Sequence, residues 1–237
     1  MITASRNQPA LAGPHPLDNP VFASLTGPHE FFARGRRRAW RYPPEVAAFA
    51  GFAGAPDPND WDDLAAATRL GDVVILTGVL GDPPRGWEVV EHNPGVQLVD
   101  DGMAAVPDEE AVRLGVEDVP EMLALVAATR PGPFLPRTIE LGTYLGIRHR
   151  GRLVAMAGER LHPPGWTEIS AVCTDAAFRG RGLSTRLVHA VAHQIRGRGE
   201  TPFLHAAASN VTAIRLYEKL GFRLRRTPDF LAVQRVV

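Results

Sequence analysis

The chain has 237 residues, 45% of them hydrophobic, with 26 basic residues against 26 acidic ones. That length admits one large domain or two smaller ones, and the zero net charge offers no global field to recruit nucleic acid or an anionic membrane. A single cysteine, Cys173, excludes an intrachain disulfide framework and makes a reducing, cytoplasmic compartment the default expectation. No apolar run approaches the roughly 18 residues that span a bilayer, and the opening residues lack the basic-then-apolar pattern of a secretory leader.

Residues 1–20 carry four prolines and little apolar periodicity, which predicts a flexible tail. Residues 21–104 read as a smaller N-terminal α/β domain. "DWDDLAAATRL" is helix-like, and "DVVILTGVL", "GWEVVEH" and "GVQLV" are strand-like, with "DPPRG" and "HNPG" as the turns between them. "ARGRRRAWRYPP" is the densest basic run and reads first as a solvated strand edge. The polar, small-residue stretch "VDDGMAAVPDEE" predicts a boundary before a second domain at 108–237. Charge divides there too: residues 1–105 sum to −5 and residues 106–237 to +5, making the C-terminal half the better home for an anionic ligand.

In that half, "AVRLG" predicts a short strand, and Asp118 a helix cap with Pro120 in the first turn and Met122, Leu123 and Val126 on an apolar stripe. "YLGIRHRGRLVAMAGERL" reads as two strands around "HRGR". A strand over 167–174, a helix over 183–196 and a strand over 202–207 form a crossover unit, so the two strands should lie parallel under the helix. Leu183, Leu187, Val188, Val191 and Ile195 supply the helix's apolar face. "SNVTAIRLYEKLGF" closes the set as a further helix, with Gly221 placed as its C-terminal cap.

Between the first strand and helix of the crossover lies "RGRGLS", residues 179–184. A glycine turn into a helix exposes successive N–H groups beside the positive end of the helix dipole, which suits a phosphate. Two common phosphate loops do not fit: residue 185 is Thr where a dinucleotide fingerprint needs Gly, and no lysine stands where a P-loop needs one. The stretch instead resembles motif A of the GCN5-related N-acetyltransferases (GNAT). Gly180 and Gly182 match, while Ala177 stands where that motif has Gln or Arg. "NVTAIRLYEKLGF" resembles the family's motif B in order and spacing, through Asn210, Ala213 and Tyr217 to Phe222. The resemblance covers residues 110–237 and is closest to the FR47-like and glycine N-acyltransferase C-terminal branch.

That resemblance implies an α+β fold whose mixed central sheet has splayed parallel strands 4 and 5 and a βαβ coenzyme A-binding unit. The N-terminal half would then be a degenerate acetyltransferase-like or lid domain that shapes the acceptor pocket. It further implies an acyl-CoA-dependent N-acetyltransferase that moves the acetyl group of acetyl-CoA directly to a small-molecule amine, the alternative being a non-catalytic acyl-CoA sensor. Backbone groups of Arg179, Gly180, Arg181, Gly182, Leu183 and Ser184 would hold the pyrophosphate. Val172, Cys173 and Thr174 would run beside the pantetheine arm, and Asn210 would bind or position it. Tyr217 matches the general acid. For the base, Glu168 is the first candidate, with Glu159 and His205 as alternatives. Cys173 is read as a small hydrophobe and not as a nucleophile. No ligand spacing suggests a metal; His189 and His193 lack the companion Glu of a zinc-protease motif.

Overall fold

The structure, a computed structural model, describes residues 14–78 and 81–237. In chain order its regular elements are α1 (Pro20–Leu25), β1 (Arg34–Arg36), β2 (Ala39–Arg41), β3 (Phe49–Phe52), α2 (Pro58–Ala66), β4 (Val73–Thr77) and β5 (Trp87–Asp100). There follow β6 (Val112–Arg113), α3 (Val119–Thr129), β7 (Tyr144–His149), β8 (Arg152–Glu159), β9 (Trp166–Thr174), α4 (Leu183–Gly197), β10 (Thr201–Ala207), α5 (Val211–Lys219), β11 (Phe222–Arg226) and β12 (Asp229–Arg235). The strands form one mixed sheet in the order β1-β2-β3-β4-β12-β5-β10-β9-β8-β7-β6, with β11 also on β5. None of the helices described is long and apolar enough to cross a membrane.

The crossover unit takes the expected form. β9 and β10 run parallel, and α4 covers them with Leu187, Val188, Val191 and Ile195 at 0% exposure. Helix α4 forms where the apolar residues recur at three and four positions, so one stripe can be buried while the arginines stay wet. Helix α5 starts at Asn210, whose side-chain oxygen accepts from the Ala213 N–H at 3.1 Å, and it stops at Gly221, whose φ of +98° places it in the left-handed region.

Three expectations are corrected. Asp118 does not cap α3 with its side chain; Oδ2 accepts from the Gly115 N–H at 2.8 Å and Oδ1 faces Arg148 at 2.5 Å, so the strand before and the sheet beneath claim it first. "HNPG" is no turn: it lies inside the continuous strand β5, where the chain changes partners. Trp87–Pro94 pairs with β12 and Gly95–Val99 with β10. Pro94 loses no ladder bond that it needs there, and Gly95 is required because a Cβ would lie 2.5 Å from the Phe230 ring. Residues 14–20 are ordered, with Leu17 1% exposed in the core; residues 1–13 of the expected tail, and Val79 and Leu80 of "DVVILTGVL", lie outside the described residues.

The expected boundary near residue 104 is therefore crossed by the sheet itself. β12, from the C-terminal half, sits between β4 and β5 of the N-terminal half. A shared core of Leu17, Val21, Phe32, Tyr42, Phe49, Val99, Leu161 and Phe203 fills the space on one face of β5, β9 and β10, and α4 and α5 cover the other. The basic run lies at the sheet's edge as expected, with β1 exposed throughout. A cleft of about 570 Å³ opens there, but Arg36 is paired with Asp63 and Arg41 with Asp72, which neutralises much of its positive charge.

Two histidines, His29 buried and His162 half-buried, meet where the halves join. The Tyr42 hydroxyl donates to His29 Nδ1 at 2.8 Å, His29 Nε2 donates to the Leu141 carbonyl at 3.2 Å, and the His162 ring lies 4.7 Å from that of His29. Burial, and then the neighbouring His162 for His29 and Arg198 for His162, push His29 down to about 3 and His162 to about 4. A folded-state value below the unfolded one of about 6.5 means their stabilisation is complete above pH 6.5 and is lost as the pH falls toward 4. Denaturant midpoints measured across that window should fall with pH. The drop should be visibly smaller in His162→Gln, even though Glu159, whose carboxyl burial pushes upward, partly offsets it.

Candidate active site

The site begins where two strands part. β9 and β10 are in register only at Trp166–Thr201, Thr167–Pro202 and Glu168–Phe203; beyond these they diverge. On its other side β9 bulges: between the pairs Ser170–Gly158 and Cys173–Met156 it spends two residues, Ala171 and Val172, against Ala157 alone. Ala171 sits at φ +53°, a left-handed conformation that a non-glycine residue adopts only when its surroundings enforce it. The bulge re-aims the backbone of Ala171–Thr174 toward the gap.

At the end of β9 the chain makes a short helical turn, Ala176–Phe178, and enters α4 through the glycine loop. Gly180 and Gly182 both have φ +75°, and a Cβ on either would meet nothing within 4 Å. The first helical bond here runs from the Arg186 N–H to the Gly182 carbonyl at 3.0 Å, and no acceptor among the described residues engages the six N–H groups of residues 180–185. The result is an open cradle of donors at a helix N-terminus. Its arginines point elsewhere: Arg181 folds back onto the Phe178 ring, 4.8 Å from the centroid, and Arg179 leans toward the Thr174 carbonyl at 3.4 Å. The Ser184 and Thr174 hydroxyls meet at 2.9 Å, and Leu183 is buried under the loop.

The two faces of the gap differ. On the helical face, Tyr217 packs in the cluster that also takes Val172 from β9 and Ala206 from β10. Burial, then the neighbouring Cys173, pushes its phenol up to about 12, and it stays protonated at neutral pH. Asn210 is exposed at the start of α5; capping uses its side-chain oxygen and leaves the amide N–H₂ free. Cys173 faces α3 within a different apolar cluster, and burial pushes its thiol up to about 11, so it remains a thiol.

On the opposite face stands a buried charged chain. Glu168, at 0% exposure, receives Arg160 in bidentate fashion at 2.6 and 2.8 Å and His205 Nδ1 at 2.7 Å. Burial alone would raise its carboxyl, but Arg160 and His205 together hold it well below the usual carboxylate range. Both oxygens are committed, so Glu168 is placed to orient His205 and not to take a proton itself. Gln97, cross-strand from His205, offers its amide to His205 Nε2 at 3.1 Å, and its oxygen accepts from Arg225. This partner set makes Nδ1 the protonated nitrogen and leaves the basic lone pair on Nε2. Glu159 is tied to Arg198 at 2.9 Å and to the Thr143 N–H at 3.2 Å, and it is not among the residues lining the cavity beside His205.

That cavity, of about 370 Å³, opens on the His205 face. Ala206 and Ala207 form one side, Pro131–Pro133 another, and the N-terminal half contributes Phe49, Ile75, Glu91 and Asn93, with Phe230 and Ala232 from β12. Arg160 lies 4.9 Å from the Phe49 ring centroid and closes the inner end. Sequence patterns did not single out Arg160 or the lining from β3, β4, β5 and β12; neighbouring strands supply these residues and no local motif marks them.

Known proteins resemble the chain over the same elements. A family model for FR47-like proteins matches residues 144–231, from β7 to β12. A solved GNAT-family protein from Novosphingobium aromaticivorans DSM 12444 is 40% identical and superposes with a TM-score of 0.87, covering 94% of this chain and all of that one. The mycothiol acetyltransferase of Mycobacteroides abscessus is 34% identical over 97 residues, which span 40% of this chain and 30% of that protein. The Rhodococcus opacus mycothiol acetyltransferase is 28% identical over 235 residues, spanning 86% and 72% respectively. The Novosphingobium protein is matched along its entire length at 40% identity, and the chain belongs to the GNAT family of acetyltransferases.

Proposed function

We propose that the chain transfers the acetyl group of acetyl-CoA directly to a primary amine of a small molecule, with Tyr217 and His205 acting from opposite faces of the β9–β10 gap. The observation that carries this reading is the pairing of a buried phenol, in the cluster that also takes Val172 and Ala206, with an imidazole that lines the cavity on the other face of the sheet.

The residues present suit acetyl-CoA. The free N–H groups of residues 180–185 would take its pyrophosphate, and the openness above Gly180 and Gly182 leaves room for it. Main-chain groups of Val172, Cys173 and Thr174, beside the bulge, and the Asn210 amide would hold the pantetheine arm. The bound thioester supplies an activated acyl carbon, and the chain's own groups do the rest. His205 Nε2 takes the proton from the acceptor nitrogen as the N–C bond forms, with the amine displacing Gln97 from that nitrogen. Glu168 holds the ring in place and stabilises its charged form, and Arg160 keeps Glu168 ionised. Tyr217 donates a hydrogen bond to the sulfur as the C–S bond breaks. A phenol near 12 is a weaker acid than a thiol of roughly 8.5, so it stabilises the leaving sulfur without surrendering its proton. The sulfur then gains a proton from solvent, and His205 returns one there.

His205→Ala should lower kcat by on the order of 10²- to 10⁴-fold with acetyl-CoA affinity unchanged, as expected for a general base. An activity within twofold of the parent would overturn the assignment. Tyr217→Phe should lower kcat about tenfold, since it removes one hydrogen bond to a developing charge. Gly182→Asp puts a carboxylate into the cradle and should abolish acetyl-CoA binding in calorimetry while the far-ultraviolet circular dichroism stays that of the folded chain. Thermal stabilisation by acetyl-CoA with no free thiol released by any amine would instead identify a sensor.

A further inference from the structure

We infer that Gln97, locked in one orientation by Arg225 and the Leu17 carbonyl, is a positioning residue that resets His205 after each transfer by expelling the proton from Nε2; this rests on the reading of His205 as the base. The Gln97 amide has three partners. Its oxygen accepts from Arg225 Nη1 at 2.9 Å, and its nitrogen donates to the Leu17 carbonyl at 2.9 Å and to His205 Nε2 at 3.1 Å. A guanidinium can only donate and a carbonyl can only accept, so turning the amide over would set donor against donor at Arg225 and acceptor against acceptor at Leu17. Gln97 is 2% exposed, and burial raises the cost of either mismatch.

The lock is assembled from distant parts of the chain. His205, Gln97 and Arg226 form one row across β10, β5 and β11. The register of β11 slips between Leu224 and Arg226, which leaves Arg225 outside the pairing, and a bulge re-aims the side chain it displaces. Arg225 and Arg226 both meet Asp18 Oδ1, at 2.6 and 2.9 Å, so Arg225 spans from Asp18 to Gln97. Leu17, beside Asp18, is 1% exposed in the shared core, which fixes its carbonyl. The N-terminal segment thus holds the amide that faces the base.

His205 therefore stands between a carboxylate that only accepts and an amide nitrogen that only donates. The neutral ring with its proton on Nδ1 satisfies both; the charged ring keeps Glu168 but turns an Nε2 N–H against the Gln97 N–H₂. At rest Gln97 fills the place that an acceptor N–H takes in the reaction. Once Nε2 has gained the acceptor's proton and the product leaves, the returning amide meets a donor, and the proton passes from Nε2 to water while the electron pair stays on the nitrogen. His205 and Gln97 both line a second cavity, of about 120 Å³, which Asp229, 60% exposed, brings to the surface. Thr77 lines it too, and its buried hydroxyl has no hydrogen-bond partner among the described residues, so it is free to bind a water there. The other charges on the two cavities are paired, Arg160 with Glu168, Arg225 and Arg226 with Asp18, and Asp229 with His92 at 3.0 Å, while Glu91 is exposed.

The test titrates the histidines of the ligand-free chain by heteronuclear NMR, the His205 signal being the one absent from His205→Gln. Gln97→Leu and Arg225→Met should each raise the pH at which the ring gains its charge by about one unit, and Arg225→Lys, which keeps a donor, should leave it near that of the parent. The variant carrying both Gln97→Leu and Arg225→Met should match Gln97→Leu alone, which a simple loss of positive charge at Arg225 would not produce. With acetyl-CoA and an amine, the acid limb of kcat/KM should move with the titration in the same variants. An unmoved titration in Gln97→Leu or Arg225→Met, or an Arg225→Met shift that persists in full beside Gln97→Leu, overturns the reset and leaves the base assignment standing; Arg225→Met, at a partly exposed side chain, decides the matter even where Gln97→Leu does not fold. A moved titration with an unmoved acid limb overturns His205 as the base and the reset with it.

Discussion

Everything in the site depends on a pairing that stops. β9 and β10 share three register positions and then separate, although parallel neighbours gain by continuing. The bulge at Ala171–Val172 bends β9 away, and the left-handed backbone of Ala171 is the local cost of that bend. Glu168 is the last residue of β9 paired with β10, and its ion pair with Arg160 and contact with His205 fix the sheet at the point where the gap opens. Removing either charge would leave the other buried and uncompensated, so the arrangement is rigid at its base and open above.

A gap in a sheet gives access from two sides without a tunnel, and the two sides have been furnished differently. The helical face supplies N–H donors, a capped helix start and a phenol held protonated by burial, all suited to an anionic, thioester-bearing ligand. The opposite face supplies a hydrophobic trough with one carboxylate and an imidazole at its end. The N-terminal half is not an accessory laid over a finished domain, because its strands form the floor of that trough and β5 runs unbroken from the trough into the gap.

How much of this was legible in the sequence follows from the range of each interaction. Helices α4 and α5, the glycine loop and the crossover were legible because local periodicity, capping chemistry and glycine positions determine them. The continuity of β5 was not: Asn93-Pro94-Gly95 carries every local mark of a turn, and only pairing with β12 and β10, both distant in sequence, keeps it extended. Leu17 looked like part of a proline-rich tail because its burial depends on a core assembled from both halves. Glu168 reads in the sequence as a base, and its partners were hidden, since only the folded sheet brings Arg160 onto both its oxygens. His205, a lone histidine on a strand, gains meaning only from Glu168 on one side and Gln97 on the other.

The interleaving of β12 between β4 and β5 also governs how the molecule can be made. β4 and β5 are neighbours in sequence but not in space; each must wait for a strand synthesised long afterwards before its edge is covered. Until then the nascent N-terminal half presents two open strand edges and an unroofed apolar trough, the surfaces most prone to pair with a wrong partner. Contacts so remote in sequence slow folding, and they make it a single event for both halves. A chain built this way trades independent folding of its parts for a binding trough that exists only once the whole sheet is complete.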